Sequence, residues 1–503
     1  MPQKSYDVGI IGCGPTGLTL GWLLALRGVR VAMVERSREA AKSPRATHID
    51  DEVVRIFQAL GIADELEPTL YLPPTYEFFD KDWNRFLEFP LSNELSDQGW
   101  RSDYMFHQPD FESRMRERLD KSDFADLFFG SSVEHIEQSE SNVLVRASAI
   151  DGGDGLEFSA RFVVGCDGAR STVRKAAKVT LEDLHGTQRW LITDSLLDEG
   201  VEDVAERLFS YCPPLPDRAV TYITTGARRR RVEFKIQPDD DGRALEETES
   251  VWSLLAPYIP RDRATLERAD AYEFNALLAR SWRVGRLLLA GDAAHQMPPK
   301  AGQGLCAGFR DAINLAWKLA RCIEVPEADA LLDTYESERR PHAKHWIDVS
   351  NSLAKSIEQM TVGNTQRDEA APTPVADGDG GPPPRPQLGP GLGSGFPHAG
   401  ELSVQPLVSG TRMDDRIGNA WALIASADLL GAQSKEAASI WTVLGAIILT
   451  PKEAHYEDWL AAHGALAAVV RPDRYLLGTA NSAVELEDMA KRLADVLHLS
   501  PAT

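Results

Sequence analysis

The sequence predicts an α/β fold in which a Rossmann-like domain is combined with a mostly β domain and a small C-terminal α/β domain. Residues 7–35 show a strand–helix–strand pattern with glycines at the first turn, which is typical of a parallel sheet. Strand-like alternation dominates residues 184–236, and proline and glycine break every pattern over residues 361–400. A chain of 503 residues is also too long for one ordinary domain.

These patterns predict the domain boundaries. The Rossmann-like domain takes residues 1–183, with an aromatic- and proline-rich excursion at 71–107, and resumes with helices over 276–360. A β-rich substrate domain lies between its two parts, over residues 184–275. Residues 361–400 are expected to form a linker or long loop, and residues 401–503 a separate C-terminal domain.

Composition and charge exclude several classes of function. The content of 43% hydrophobic and 26% charged residues is that of a soluble globular protein. A net charge of −22 argues against nucleic-acid and anionic-membrane partners. The five cysteines show no paired spacing, so no metal site and no disulfide framework are expected. We find no signal peptide and no apolar run of the roughly 18 residues that a membrane span requires, and therefore expect a cytoplasmic protein.

The first chemical motif is the glycine pattern Gly12-x-Gly14-x-x-Gly17 between a strand and a helix. Gly12 permits a tight turn, Gly14 lets the backbone approach a pyrophosphate, and Gly17 allows close helix–strand packing. Glu35 ends the second strand, at the spacing of a carboxylate that binds a ribose. The same cofactor site is expected to include Pro15, Thr16 and Arg36. This motif alone does not distinguish FAD from NAD.

The second motif, LLLAGDAAHQMPPKAGQG at residues 287–304, favours FAD. Asp292 follows Gly291 at the end of a buried strand, where a carboxylate can accept hydrogen bonds from a polyol such as a ribityl chain. Gly302, Gln303 and Gly304 open the next helix, and their N–H groups suit the negative charge of a reduced flavin. A pyrophosphate site and a polyol site about 280 residues apart are together typical of FAD.

A third motif, CDGARSTVR, occupies residues 166–174 and also follows an apolar strand. Asp167 makes a tight turn beside the sheet. Arg174 lies one turn into the next helix, where it is expected to contact phosphates of FAD or of a nicotinamide cofactor. A helix cap followed by a surface arginine is the alternative interpretation.

Together with PRATHIDDE at residues 44–52 and GFRDAINLAWKL at 308–319, these motifs resemble those of the class A, single-component FAD-dependent aromatic hydroxylases. The similarity is greatest to the branch of 3-(3-hydroxyphenyl)propionate and phenol-type hydroxylases, and it covers residues 6–346. The resemblance implies that NADH or NADPH reduces FAD and that O2 then hydroxylates a phenolic ring through a flavin C4a-hydroperoxide. It also implies a small aromatic substrate and a homodimer.

The resemblance assigns roles to further residues. Arg45 is expected along the FAD near the reacting ring, Gln108 on the cofactor, Pro298 beside the isoalloxazine and Asn314 at the flavin end. The C-terminal domain is expected to be thioredoxin-like in fold. Because residues 401–503 contain no cysteine, a redox role for this domain is excluded.

Proton handling and the substrate wall are predicted from residue chemistry. His48, close after Arg45, is the leading candidate for a base that acts at neutral pH. A structural histidine is the equal alternative at this position. On the strands of the β-rich domain, Tyr211, Tyr222 and Phe234 are candidates for the substrate wall, although aromatic strand residues are often plain core.

Other functions remain open at this stage. A flavin-dependent oxidase or dehydrogenase is the first alternative. A non-catalytic FAD-binding interaction protein, acting through its C-terminal domain, is the second alternative. A flavin-dependent halogenase is disfavoured because the WxWxIP motif is absent.

Overall fold

The computed structural model describes residues 4–41, 43–72, 75–79, 84–90, 94–201, 204, 208–211, 218–361, 385–408 and 410–500. Among these residues, no helix combines the length and the apolar character needed to cross a membrane. The helices are α1 (Pro15–Ala25), α2 (Asp51–Ala59), α3 (Ala63–Leu66), α4 (Gln108–Asp120), α5 (Thr172–Ala176), α6 (Gly242–Glu246), α7 (Thr248–Leu255), α8 (Gln303–Glu324), α9 (Asp333–Thr361), α10 (Met413–Ile417), α11 (Ala427–Gly431), α12 (Lys435–Val443), α13 (Pro451–Ala454), α14 (Glu457–Ala462) and α15 (Ala483–Leu497).

The strands of the first half are β1 (Lys4–Ile11), β2 (Val31–Glu35), β3 (His48–Asp50), β4 (Thr75–Phe79), β5 (Arg85–Pro90), β6 (Asp103–Met105), β7 (Ala125–Phe129), β8 (Ser131–Gln138), β9 (Val143–Ala149), β10 (Leu156–Gly165), β11 (Leu181–Asp183), β12 (Gln188–Leu197), β13 (Leu208–Tyr211), β14 (Val220–Thr224) and β15 (Arg229–Lys235). Those of the second half are β16 (Ala264–Phe274), β17 (Leu277–Ala279), β18 (Arg283–Val284), β19 (Leu287–Leu289), β20 (His295–Gln296), β21 (Leu407–Val408), β22 (Thr411–Arg412), β23 (Ala422–Ala425), β24 (Ile447–Leu449), β25 (Ala467–Val470) and β26 (Leu476–Ala480).

The Rossmann-like sheet has the strand order β18-β19-β10-β1-β2-β7, with the β8–β9 hairpin attached to β10. Strands β19, β10, β1, β2 and β7 run parallel. Their carboxyl ends therefore lie at one edge, which brings together the three motifs that are far apart in the sequence. Ligands of open α/β sheets bind at this edge.

The second sheet has the order β16-β12-β15-β14-β13-β4-β5. Strands β4 and β5 come from the segment 71–107, so this segment is not a mere excursion of the first domain but extends the sheet of the β-rich domain. Its irregular sequence pattern gave no sign of these two strands, of which β5 forms the edge of the sheet. One face of the sheet packs against α7 through Trp252 and Leu255, and the other face is turned to the cavity.

The C-terminal unit is a four-stranded sheet, β24-β23-β25-β26, covered by helices. Helix α12 directly precedes strand β24 in this unit. Ser434 caps that helix by accepting a hydrogen bond from the backbone N–H of Ala437. In the predicted linker, residues 385–400 pack onto the body: Arg385 pairs with Asp51, and the N–H of Gly389 donates to the carbonyl of Glu338. Residues 362–384 lie outside the described part of the chain.

Buried charges join the C-terminal unit to the Rossmann-like domain. Glu338 on α9 accepts two hydrogen bonds from Arg471, at 2.9 and 2.7 Å, and one from Lys318 at 2.6 Å. Arg471 also pairs with Asp473 at 2.5 Å. A second group places Arg55 against Asp414 at 2.7 Å. Buried ion pairs of this kind stabilise the fold only when every charge has its partner, because removal of one partner leaves an uncompensated buried charge.

We expect Arg471→Met to lower the free energy of unfolding by about 3–5 kcal/mol, because Glu338 and Asp473 then remain buried with too few cations. Urea unfolding of the flavin-loaded protein measures this change. The control is Arg146→Met, which breaks the half-exposed pair with Glu157 and should cost less than about 1 kcal/mol. Equal losses in the two variants would contradict the structural role of the buried network.

Candidate functional site

A cavity of about 2070 Å³ lies between the carboxyl edge of the parallel sheet and the inner face of the second sheet. Ligand pockets of small molecules usually measure about 300–1,000 Å³, so this cavity has room for a dinucleotide and a second ligand. Of the predicted site residues, it is lined by Gly12, Gly14, Pro15, Thr16, Glu35, Arg36, Arg45, His48, Gln108, Asp167, Gly291, Asp292, Gly302, Gln303 and Gly304. The structure thus brings most of the predicted site together.

The glycine turn has the geometry that the motif predicts. Gly12 has a φ of +99°, and a Cβ there would lie 2.4 Å from the carbonyl oxygen of Cys166. A Cβ at Gly17 would lie 2.0 Å from the Gly12 oxygen, so Gly17 serves helix packing and does not line the cavity. A Cβ at Gly14 would meet nothing within 4 Å. The backbone at Gly14 therefore faces open space at the start of α1, as a pyrophosphate site requires.

Glu35 is fixed at the end of β2 by backbone donors. One carboxylate oxygen accepts from the N–H of Cys13 at 2.9 Å, and the other accepts from the N–H of Ser37 at 2.8 Å. Each oxygen keeps a further lone pair for a ribose hydroxyl. Arg36 next to it is exposed at the cavity.

Two aspartates present carboxylate oxygens to the cavity. Asp167 accepts hydrogen bonds from the N–H groups of Thr172 and Val173, but its Oδ1 is buried without a partner among the described residues. Asp292 is exposed and lines the cavity. Burial raises the pKa of both carboxyls, and at Asp292 the nearby His295 and Arg45 oppose this shift. Polar hydroxyls of a bound polyol would satisfy these oxygens.

Gln108 shapes the segment that carries Arg45. Its Oε1 accepts from the backbone N–H groups of Arg45 and Ala46, at 3.0 and 3.1 Å, and its Nε2 donates to Glu112 at 2.7 Å. Since all these bonds hold a buried side chain in place, Gln108 positions the 45–46 backbone at the cavity. The Arg45 side chain itself is exposed to the cavity.

His48 differs from the prediction of a neutral base. Its Nε2 lies 2.8 Å from the Asp103 carboxylate, and its Nδ1 lies 3.3 Å from the carbonyl oxygen of Gly302. Both partners only accept hydrogen bonds, so both ring nitrogens must carry a proton. Burial lowers the pKa of His48, but the hydrogen bonds to Asp103 and Cys306 outweigh this effect and leave the pKa well above its ordinary value. This geometry favours a cationic His48 that positions the Gly302 loop over the neutral base that the sequence suggested.

The loop before α8 has little freedom. Gly302 has a φ of +64°, and a Cβ at this position would lie 2.5 Å from the His48 Nδ1. The Oε1 of Gln303 accepts from Arg310 at 2.7 Å. Only glycine fits the left-handed conformation beside the histidine ring, so the backbone N–H groups at the start of α8 are held toward the cavity.

The prediction for the substrate wall chose the wrong face of the sheet. Tyr222 and Phe234 are buried in the core cluster that packs on α7, near Tyr258. Side chains alternate along a strand, so the neighbours of these residues face the cavity instead. The side chain of Tyr211 lies outside the described part of the structure. The residues of this region that do line the cavity, and that were missed, are Tyr76, Phe78, Ile192, Thr221, Ile223, Glu233 and Lys300.

Three further predicted residues do not line the cavity. Arg174 donates to the carbonyl oxygens of Ala293 and Ala169 and braces the turn, so it is the structural alternative that fits. Asn314 donates to Glu338 and Asp473 in the buried charge network and does not line the cavity. Pro298 precedes the lining residues Pro299 and Lys300.

We expect the cation at His48 to control stability between neutral and alkaline pH. Because the pKa of His48 is raised in the folded state, the contribution of His48 to the free energy of unfolding is complete below about pH 6.5, the ordinary pKa. This contribution is lost as the pH rises through the folded-state pKa. The free-energy difference between wild type and His48→Gln, measured by urea unfolding, should therefore decrease with rising pH. His135→Gln, at a half-exposed histidine, is the control and should show no such trend. A difference that grows with pH would contradict the cationic form.

Comparison with known proteins agrees with this geometry. The family model for the FAD binding domain matches residues 5–350. The chain is 33% identical, over 98% of its length and 95% of the relative, to a probable NADH-specific resorcinol 4-hydroxylase from Rhodococcus jostii (strain RHA1). It is 32% identical, over 98% of its length and 94% of the relative, to a 3-(3-hydroxy-phenyl)propionate/3-hydroxycinnamic acid hydroxylase from Mycolicibacterium smegmatis (strain ATCC 700084 / mc(2)155).

Solved structures show the same fold. The flavin-dependent monooxygenase PieE in complex with FAD and substrate aligns with a TM-score of 0.81 at 21% identity, over 99% of this chain and 100% of that one. A ternary complex of aklavinone-11 hydroxylase with FAD and aklavinone aligns with a TM-score of 0.78 at 23% identity, over 98% and 100%. The chain therefore belongs to the family of FAD-dependent aromatic hydroxylases, flavoprotein monooxygenases that use a nicotinamide reductant and O2.

Proposed function

We propose that this protein hydroxylates a neutral phenol of the dihydroxybenzene class and uses NADH as its reductant. The observation that carries the proposal is the charge balance of the substrate wall. Lys300, Arg231 and Arg268, which line the cavity beside the second sheet, each have a carboxylate partner, so these three cations do not offer an uncompensated positive charge to a substrate carboxylate.

Lys300 and Glu233 form the first of these pairs. The Lys300 Nζ lies 3.8 Å from a Glu233 carboxylate oxygen and 3.3 Å from the hydroxyl of Thr221. It also lies 3.4 Å from the centre of the Trp190 ring, in a cation–π contact. Glu233 and Thr221 therefore offer acceptor oxygens to a phenolic hydroxyl, whereas the charge of Lys300 is already balanced.

Arg231 and Arg268 share the carboxylate of Asp194. Arg231 holds it through two hydrogen bonds, at 2.8 and 2.9 Å, and Arg268 lies 3.8 Å from it. Arg268 also pairs with Asp270 at 2.6 Å. Burial opposes the charge of Arg231, but Asp194 raises the arginine pKa overall. These guanidinium groups support the 44–45 backbone, to which both donate, and are not free to bind an anion.

The residues of the cavity fit FAD. We propose that the Gly12–Gly14 turn holds the pyrophosphate, that Glu35 holds the ribose, and that Asp292 holds the ribityl hydroxyls. The N–H groups at Gln303 and Gly304 would face the pyrimidine end, with His48 fixing the loop. When bound, FAD supplies the chemistry of hydride acceptance and O2 activation. The protein's own part is to bind and orient the ring of the substrate and to exclude water.

The relatives support the substrate class without deciding it. One is named for resorcinol, a neutral diol, and for NADH, whereas the other is named for hydroxyphenylpropionate, a carboxylate. The paired wall cations favour the first type of substrate for this chain. The cytoplasmic location and the homodimer that the sequence led us to expect stay predictions.

We expect Asp292→Ala to weaken FAD binding by about 10- to 100-fold, the value of one or two hydrogen bonds to a charged acceptor. Flavin content after gel filtration and the dissociation constant from flavin fluorescence measure the loss. Asp292→Asn, which keeps one acceptor oxygen, should lose less. Full flavin content in the alanine variant would show that the ribityl contact lies elsewhere.

The proposed function is tested by measuring NADH and NADPH oxidation with a panel of phenols, and by recording product masses. Resorcinol and related diols should accelerate NADH oxidation and give products that are heavier by one oxygen. Carboxylate-bearing phenols should have a lower kcat/KM. Acceleration by the carboxylates alone would contradict the substrate class, and acceleration that yields only hydrogen peroxide would identify non-substrate ligands.

Glu233→Gln gives a sharper test of the charge argument. The substitution keeps the shape of the side chain but leaves Lys300 without its carboxylate, so the ratio of kcat/KM for carboxylate over neutral phenols should rise about tenfold. The matched control is Glu273→Gln, which removes a carboxylate from the exposed lining of the same cavity. An unchanged ratio in Glu233→Gln would mean that the Lys300–Glu233 pair does not set specificity.

A further inference from the structure

The C-terminal unit contains a cluster of potential metal ligands that is remote from the cavity. His398, Glu401 and His463 each present one ligand atom, and these atoms all lie within 4.8 Å of one another. None of the three lines the cavity. His398 and Glu401 belong to the segment before β21, whereas His463 directly follows α14. The cluster therefore connects two parts of the chain that are more than sixty residues apart.

The orientation of His463 is already that of a metal ligand. Its Nδ1 lies 2.7 Å from the carbonyl oxygen of Trp459, and because a carbonyl only accepts, this nitrogen carries the proton. The indole of Trp459 stacks on the imidazole at 3.9 Å between ring centres, with an angle of 19°. The Nε2 lone pair is then left for a ligand. A histidine held through a carbonyl in this way is the usual support of a metal-binding imidazole.

The other two ligands are held on a fixed backbone. The Glu401 Oε1 accepts from Gln387 at 3.1 Å and lies 3.0 Å from the Nδ1 of His398. The carbonyl oxygen of Glu401 accepts from the N–H of Leu476 at 2.8 Å, which joins this segment to β26. The rings of His398 and His463 lie 4.8 Å apart at 79°. The two imidazoles and the carboxylate thus converge on one point from different directions.

The donor set selects the class of metal. Two imidazoles and one carboxylate are typical ligands of Zn²⁺, whereas Mg²⁺ and Ca²⁺ prefer oxygen ligands alone. Ligand atoms on a tetrahedral zinc ion lie roughly 3.4 Å apart, so only a small contraction of the cluster is needed. The three side chains are half-buried, which leaves the fourth position to water.

We propose that His398, Glu401 and His463 form a zinc site that fastens the segment before β21 to α14 in the C-terminal unit. We assign the site a fastening role because none of its ligands lines the cavity and because they lie on two separate segments of the unit. The absence of paired cysteines predicted no metal site, but two histidines 65 positions apart leave no comparable spacing pattern in the sequence.

The test uses the untagged, flavin-loaded protein after treatment with a chelator. We expect isothermal titration with Zn²⁺ to show about one ion bound per chain, and zinc to raise the melting temperature, whereas Mg²⁺ does neither. No stoichiometric uptake of zinc by the wild type, or an equal response to Mg²⁺, would overturn the proposal.

Variants locate the site. His463→Ala and Glu401→Gln should each weaken zinc binding by at least about tenfold and abolish the rise in melting temperature. The control is His455→Ala, an exposed histidine in the same region, which should bind zinc like the wild type. Flavin content and the melting temperature without metal show that each variant is folded. Unchanged zinc binding in a folded His398→Ala/His463→Ala double variant would place the ion elsewhere.

Discussion

The buried guanidinium of Arg310 connects two segments that line the cavity. It donates to Glu52 at 2.5 Å and to Gln303 at 2.7 Å, and it also pairs with Asp50. Burial opposes its charge, but the two carboxylates raise its pKa well above the ordinary value. Because Asp50 and Glu52 adjoin His48 while Gln303 begins α8, one cation fixes the two segments that meet at the flavin end of the cavity.

The buried charges around Arg310 also have hydrogen-bond and ion-pair partners in the C-terminal unit. Glu52 also accepts from the hydroxyl of Tyr475, at 2.7 Å, and Tyr475 belongs to that unit. Arg55, on the helix that contains Glu52, pairs with Asp414 of the unit. Without these partners, the charges behind the active site would be exposed or unpaired. The thioredoxin-like unit, which has no cysteine, therefore has a structural role. It supplies the partners that complete the buried ion pairs of the FAD-binding domain.

The sequence was informative where backbone geometry determines function. Gly12, Gly291 and Gly302 could be predicted because their positive φ angles and close contacts suit only glycine, and such positions leave a pattern in the sequence. Side-chain direction leaves a weaker pattern. Tyr222 was assigned to the cavity although it points to α7, and which face of a strand is buried by a helix depends on packing that one sequence does not reveal.

Charge state was the hardest property to predict. The sequence suggests a neutral base at His48 because the two groups that contact its ring are distant in the sequence. Asp103 lies 55 positions from His48, and Gly302 lies 254 positions from it. The contacts of His48 with Asp103 and Gly302 depend on the pairing of β3 with β6 and on where α8 begins. Neither feature leaves a local pattern in the sequence. Asn314 was misassigned for the same reason, since its partners Glu338 and Asp473 are remote in sequence.

The two ends of the cavity differ in whether their charged side chains are paired. At the cofactor end, Asp167 and Asp292 keep carboxylate oxygens available, and the Arg45 side chain is exposed to the cavity. At the substrate wall, Lys300 and Arg231 are each balanced by a carboxylate. A charged, hydroxyl-rich cofactor gains specific contacts from available groups, whereas a neutral ring would meet a desolvation penalty from unpaired charges. For the neutral substrate that we propose, the balanced wall would offer hydrogen-bond acceptors without the cost of a buried free ion.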